Sequence, residues 1–286
     1  MKEKIKRVTK NTYFKAKKLA INVFDETKIR WNKKIEEIKE NKPKAALRIS
    51  LYLLIAVMLL IFIISFSIIL PIIFKPFYYW HIKPYEIDEK YFSSGQLSYE
   101  QISTIYSNLV HWLLGFGTND EFTFKTAIEP LRYTKDGYEH FVDVRNLFSL
   151  AFILFFVSIA VLTIAIGFSI KYKLKISIIN IGFYSMLLLM FVLIIIAILA
   201  SQDFNAAFTK FHEIFFRGKD NWLFSPNKDE IIKMLPQEFF RNCAIWIGVN
   251  ITFFFVLFVA LKAKKSIKNI IKYKKLNSEE HQAENA

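Results

Sequence analysis

Four apolar runs, at about 50–74, 147–170, 176–200 and 239–261, decide what this chain can fold into, because each is long enough to need a solvent other than water. A helix rises 1.5 Å per residue, so about 20 apolar residues cross a hydrocarbon core of about 30 Å, and each run exceeds that length. Within hydrocarbon every backbone N–H and C=O must be paired inside the segment, which leaves helix as the conformation for an isolated run. The expected fold class is therefore all-α: an integral membrane protein with four transmembrane helices. The 53% hydrophobic and 17% aromatic content of the 286 residues is concentrated in these runs.

Charge sets the orientation. The formal net charge is +14. The lysines crowd into the arm Met1–Arg48, the short turn with Lys171, Lys173 and Lys175, and the tail from Lys262 to Lys275, whereas the two long loops at 75–146 and 201–238 lack that excess. Cations beside membrane helices mark the cytoplasmic side, so both termini are predicted inside and both long loops outside. The same placement accounts for the positive charge without nucleic acid as a partner. The arm carries helical periodicity in Trp31, Ile35 and Ile38 and ends at Pro43. It reads as a basic juxtamembrane segment on the anionic inner leaflet, gaining on the order of 1 kcal/mol per cation. It has none of the short apolar core and small-residue cleavage site of a secretory signal. The expected organisation is a cytoplasmic arm (1–48), a four-helix membrane domain (49–262) and a basic, then polar, tail (263–286). A single cysteine, Cys243, rules out an intrachain disulfide or thiolate metal site, and no metal or other cofactor is expected.

The outer loops carry amphipathic patterns. The first opens with Pro76 and the cluster Phe77, Tyr78, Tyr79 and Trp80, expected to form an interfacial aromatic belt. Ser98 with Gln101 forms a capping box and Leu97 with Ile102 a hydrophobic staple. They start a helix whose Ile102, Ile105, Leu109 and Leu113 share one face, expected to lie flat on the bilayer. In the second loop Phe204, Ala207, Phe208, Phe211, His212 and Phe215 make a similar stripe, a second interfacial helix with His212 at headgroup level.

Charged residues are missing from the interiors of the four runs, which disfavours a pump, channel or coupled transporter. The ionisable groups gather at the outer boundary instead, in His140-Phe-Val-Asp143-Val-Arg145 and in Phe211-His212-Glu213-Ile-Phe-Phe-Arg217. His140 and Asp143, three apart at a helix start, share a face on which the carboxylate can orient or charge-stabilise the imidazole. Taken alone, the pair reads first as a histidine and an aspartate that cap the start of a membrane helix and touch headgroups. His212 reads as an interfacial histidine among phenylalanines, Arg145 and Arg217 as phosphate-binding or snorkelling cations, and Asp203 as a helix cap. No nucleophile elbow, zincin motif or phosphate-cradling glycine loop is present. Cys243 reads as an inert buried thiol, and His81, His111 and His281 have no helpful partner spacing.

The ordered segments Glu139-His140-Phe141-Val142-Asp143-Val144-Arg145, Asp203-Phe-Asn-Ala-Ala-Phe208-Thr-Lys-Phe211-His212-Glu-Ile-Phe215-Phe216 and Asn221-Trp222-Leu-Phe224-Ser-Pro226, continuing through Asp229 and Leu235-Pro236-Gln-Glu238-Phe239-Phe240, resemble bacterial lipoprotein intramolecular transacylases. The four-span layout agrees over about 50–261, and the arm lies outside the resemblance. Phe141 stands where an aliphatic residue is usual and Arg145 where lysine is common, and Arg217, Lys219 and Asp220 make a more charged turn. The resemblance implies an enzyme acting on diacylglyceryl-modified lipoproteins. It would move one acyl chain to the α-amine of the N-terminal cysteine and leave a lyso-form product. It also implies roles: His140 oriented by Asp143 as base, with His212 stabilising the oxyanion or the two roles exchanged. Arg145, Arg217, Trp222 and Asp203 would sit among substrate-binding residues, and Glu238 would close the site. Two other readings stand beside it: a non-catalytic envelope protein binding lipids or a partner through its aromatic loops, and a different lipid-modifying enzyme with an outer-leaflet site.

Overall fold

The computed structural model describes residues 26–32, 34–35 and 42–284. Residues 26–32 and 34–35 are helical with Trp31 exposed, and Ile38, the third apolar position expected in the arm, lies outside the described residues. Two units are distinguished, one ending at Leu53 and one beginning at Leu54; the site belongs entirely to the second.

The helices are α1 (Lys42–Ile73), α2 (Pro76–Ile82), α3 (Tyr99–Leu113), α4 (Glu121–Ile128), α5 (Lys135–Lys171), α6 (Ile178–Gln202), α7 (Phe204–Phe215), α8 (Ile231–Met234) and α9 (Gln237–Glu284). A two-residue hairpin, Tyr91–Phe92 against Gly95–Gln96, interrupts the first long loop. Among the described residues four helical stretches of 29, 37, 25 and 38 residues are long and apolar enough to cross a bilayer, as the sequence predicts, and the protein is a multi-pass membrane protein. Leu188, Phe191, Ile195 and Leu199 along α6 are exposed, and apolar side chains of this size in an unbroken row face hydrocarbon. Buried Ser65, Ser158 and Ser169 return their hydroxyls to carbonyls of their own helices. α6 and α9 pack along one another, closely enough that a Cβ at Gly182 would collide with the Phe258 ring. Phe62 against Phe155 at 5.4 Å and Phe66 edge-on to Phe254 at 6.0 Å join α1, α5 and α9.

The ends of two spanning helices differ from the apolar runs. α5 begins at Lys135, three turns before the run at 147, because Thr134 caps it through Gly137 N and its first turns are buried by the loops. α9 continues through Glu284, so the segment after 262 is an extension of the fourth span.

The first long loop departs from expectation. The capping box at Ser98 forms with both hydrogen bonds, and α3 follows it. Its apolar stripe does not lie on the bilayer, however: Ile102, Ile105, Tyr106, Leu109, Val110, Trp112 and Leu113 are all buried in a protein core shared with α2, α4, the start of α5, α8 and the start of α9. A face enclosed by protein has no apolar surface left for lipid. The aromatic belt is likewise divided. Phe77 and Tyr78 belong to this core, with Tyr78 stacked on Tyr106 at 3.7 Å and its hydroxyl donating to Met234 O, while Trp80 is exposed. The two long loops thus form one packed cap at one end of the helices.

Two adjacent carboxylates pin the cap together. Glu230, with no exposed side-chain surface, accepts from Ser93 N at 2.7 Å, Ser93 Oγ at 2.8 Å and Arg132 N at 3.0 Å, with Arg132 Nη2 and Lys233 Nζ each at 3.4 Å. Burial pushes its pKa up, but hydrogen bonds from Arg132, Ser93 and Lys233 outweigh that and hold it at about 2. Asp229 accepts from both Thr134 N and Thr134 Oγ1. The residue at 137 is glycine because a Cβ there would strike the Asp229 carboxylate. α5 therefore starts at a height and rotation set by the second loop, which places its next turn, that of His140.

Candidate active site

α7 is capped by Asp203, whose carboxylate accepts from Ala206 N at 2.9 Å. Its phenylalanine stripe is only partly covered, with Phe211 and Phe215 exposed, and His212 is its one buried residue. From the other loop, α5 delivers His140. The two imidazoles, 72 positions apart in sequence, are 6% and 7% exposed with ring centroids 5.8 Å apart.

Aromatic rings enclose them. Phe216 and Phe224 stand edge-on to His140 at 4.7 and 5.3 Å, while Phe208 at 4.3 Å and a stacked Trp222 at 4.7 Å flank His212. His212 Nδ1 lies 2.7 Å from Phe208 O. A carbonyl only accepts, so Nδ1 carries the hydrogen and Nε2 presents its lone pair. Burial lowers the His212 pKa, with the bond to Phe208 acting against it, so the neutral ring prevails at neutral pH. His140 Nδ1 is buried without a protein partner. A neutral base beside an imidazole with an unsatisfied nitrogen can take up a proton and hydrogen-bond a charged oxygen within one desolvated volume.

The structure revises the role expected for Asp143. Its carboxylate does not bond His140; Lys219 Nζ grips both oxygens at 2.6 and 2.7 Å, and Asn221 Nδ2 approaches at 3.3 Å. A carboxylate held by an ammonium is not free to orient a neighbouring ring. Arg145 is also reassigned. It is buried, donates to Thr118 O at 2.9 Å and Gly117 O at 2.7 Å, and covers the Trp112 ring at 4.7 Å, so it locks α5 to the turn between α3 and α4. Two of its donors are held by backbone carbonyls. Asp203 is the cap of α7. Glu238 is exposed in the first turn of α9 and acts on Lys90, whose pKa burial lowers and whose charge Glu238 and Glu86 support. Arg217 is exposed in the turn after α7. Trp222 stands on His212.

Phe216, Phe224, Lys219 and Asn221, to which the sequence assigned no role, complete the site. The dipeptide Phe215-Phe216 lies just after His212, but helical periodicity does not say which ring turns inward once α7 has ended. Two further histidines are structural: His81 bonds Phe77 O and Asn242, and His111 stacks on Phe116. Among the described residues no three His, Cys, Asp or Glu side chains gather as metal ligands would.

No curated protein matches this sequence. Among solved structures, the membrane-integral lipoprotein intramolecular transacylase Lit from Bacillus cereus superposes with a TM-score of 0.68 at 22% identity, over 79% of this chain and 99% of that one. A variant of that protein with a histidine-to-arginine mutation matches with a TM-score of 0.64 at 22% identity, over 82% and 98%. One with a histidine-to-alanine mutation matches at 0.60 and 23%, over 78% and 97%. These likenesses establish the fold. The family model described as lipoprotein intramolecular transacylase Lit matches residues 53–240, which hold both histidines, the rings around them and the carboxylate clasp of the cap. With that match over the larger part of its length, this chain belongs to the lipoprotein intramolecular transacylases, a family of acyltransferases.

Proposed function

We propose that the protein transfers an acyl chain from the diacylglyceryl group of a lipoprotein to the α-amine of the same molecule's N-terminal cysteine, at the outer leaflet of a bacterial cell membrane with both termini in the cytoplasm. The observation that carries this reading is the pair of buried imidazoles at 5.8 Å, one with a fixed tautomer and the other with an unpartnered nitrogen.

The amine nitrogen attacks an ester carbonyl, an amide C–N bond forms and the ester C–O bond breaks. His212 Nε2 takes the proton that the amine sheds and returns it to the departing glyceryl oxygen, which leaves as a hydroxyl. His140 Nδ1–H donates to the oxyanion of the tetrahedral intermediate, which also satisfies the ring atom that no protein group meets. This exchanges the two roles first expected, and the fixed tautomer of His212 is the reason. The donor and acceptor belong to one substrate, so no enzyme nucleophile is needed, and proximity can supply roughly 7 to 11 kcal/mol of the barrier. Arg217 and Trp222 contact the interfacial part of the lipid. The sidedness rests on the lysines of the arm, the 171–175 turn and the tail.

The test is mass spectrometry of lipoprotein N-terminal peptides from a bacterial host lacking the lyso form, with and without this chain. Gain of an N-acyl, S-monoacylglyceryl peptide at constant acyl mass is expected. Persistence of the diacyl, free-amine peptide with the protein present in the membrane overturns the reading.

A further inference from the structure

The turn between α7 and Trp222 holds an ammonium where the reaction needs one. Lys219 Nζ sits on both oxygens of Asp143, one helical turn from His140 on the same face of α5. Asn221 turns its Nδ2 to that carboxylate, and its buried Oδ1, an acceptor, has no partner. The seat therefore offers a carboxylate and an unused amide oxygen, the complement of a primary ammonium with three hydrogens to donate. The cation that now fills it is half exposed, on a flexible four-carbon stem. The turn itself is anchored independently of that stem: Phe216 is buried against His140, Lys219 N bonds Phe216 O, and Trp222 Nε1 bonds Lys219 O. The lysine side chain can leave while the backbone stays.

We propose that Asp143 and Asn221 Oδ1 form an ammonium subsite, of which Lys219 holds the carboxylate alone in the free protein and which the substrate's α-ammonium takes over by exchange. Resting on the transacylase reading, this assigns to the site a specificity for a free, protonated amine. One cation replaces another on Asp143, and the incoming amine is brought beside the histidines before it gives up one proton to solvent and a second, through His212, to the departing glyceryl oxygen. A half-exposed ion pair contributes little, which keeps the exchange easy. Lys219 is thus a built-in competitor of the substrate.

The experiment compares wild type, Lys219→Met and Lys219→Arg as full-length protein in detergent micelles. A diacylglyceryl-cysteinyl peptide with a free amine serves as substrate, and its N-acetylated counterpart, which carries no ammonium, as inhibitor. Lys219→Met is expected to lower the KM of the free-amine peptide about two- to five-fold, the release of a weak ion pair. Lys219→Arg, whose fork grips a carboxylate with two hydrogen bonds, is expected to raise it. The inhibition constant of the N-acetyl peptide stays where it was in both. A KM that is unchanged or raised in Lys219→Met, or an inhibition constant that moves in step with KM, overturns the subsite. Absence of any conversion by wild type instead overturns the transacylase reading, and the subsite with it.

Discussion

His212 donates its Nδ1 hydrogen to Phe208 O, one helical turn earlier, at 2.7 Å. This contact within α7 fixes which nitrogen of the ring faces the site, and no residue from another element is needed to do it. The expected consequence is that His212→Ala loses acyl transfer by about 10²- to 10⁴-fold, the usual range for removing a general base. His140→Ala is expected to lose about 10²-fold or more, as when an oxyanion donor is removed. Membrane extraction and thermal unfolding of both variants should match wild type; turnover near wild-type level in either would remove that residue from the chemistry.

Because burial lowers the His212 pKa, activity should persist below pH 6.5, where an ordinary imidazole becomes protonated. The base must be neutral to work, so the rate is lost on the acid side only as pH falls through the lowered value. A pH profile of kcat/KM reads this directly, and an acid limb at or above pH 6.5 contradicts it.

Glu230 should dominate the stability of the cap. Glu230→Ala leaves Arg132 N, Ser93 N and Ser93 Oγ without their acceptor and is expected to cost roughly 3 kcal/mol, read as a lower midpoint of thermal unfolding. The folded-state pKa of about 2 lies below the ordinary 4.5, so this contribution is whole above pH 4.5 and is lost as pH falls from there toward 2. An unfolding midpoint for Glu230→Ala that matches wild type at pH 7 contradicts the assignment.

Arg145 is expected to act on folding rather than on substrate. Arg145→Lys loses the paired donation to Gly117 O and Thr118 O and the flat contact with Trp112, and should destabilise by roughly 2 kcal/mol with little change in KM. A rise in KM at unchanged thermal stability would restore a substrate-binding role.

By itself the sequence determined the elements whose signals are local. Spans follow from runs of apolar residues too long for any other solvent. The starts of α3 and α7 follow from Ser98 and Asp203, whose caps reach only three residues forward. The order of His140, Asp143 and His212 with the blocks around them was enough to point to the family. Only tertiary structure decided what lies opposite each side chain. The stripe of Ile102, Ile105 and Leu109 is equally a membrane face or a core face until α2, α4 and α8 are seen packed on it. Asp143 is spaced to serve His140, yet the ammonium that claims it lies 76 positions away in a turn with no periodic signal. The Asp229 and Glu230 pair had no visible partners because Ser93, Arg132 and Thr134 come from the other loop. Local hydrogen bonds and burial length are written along the chain, whereas a charge chooses among all cations brought near it, and folding alone sets that distance.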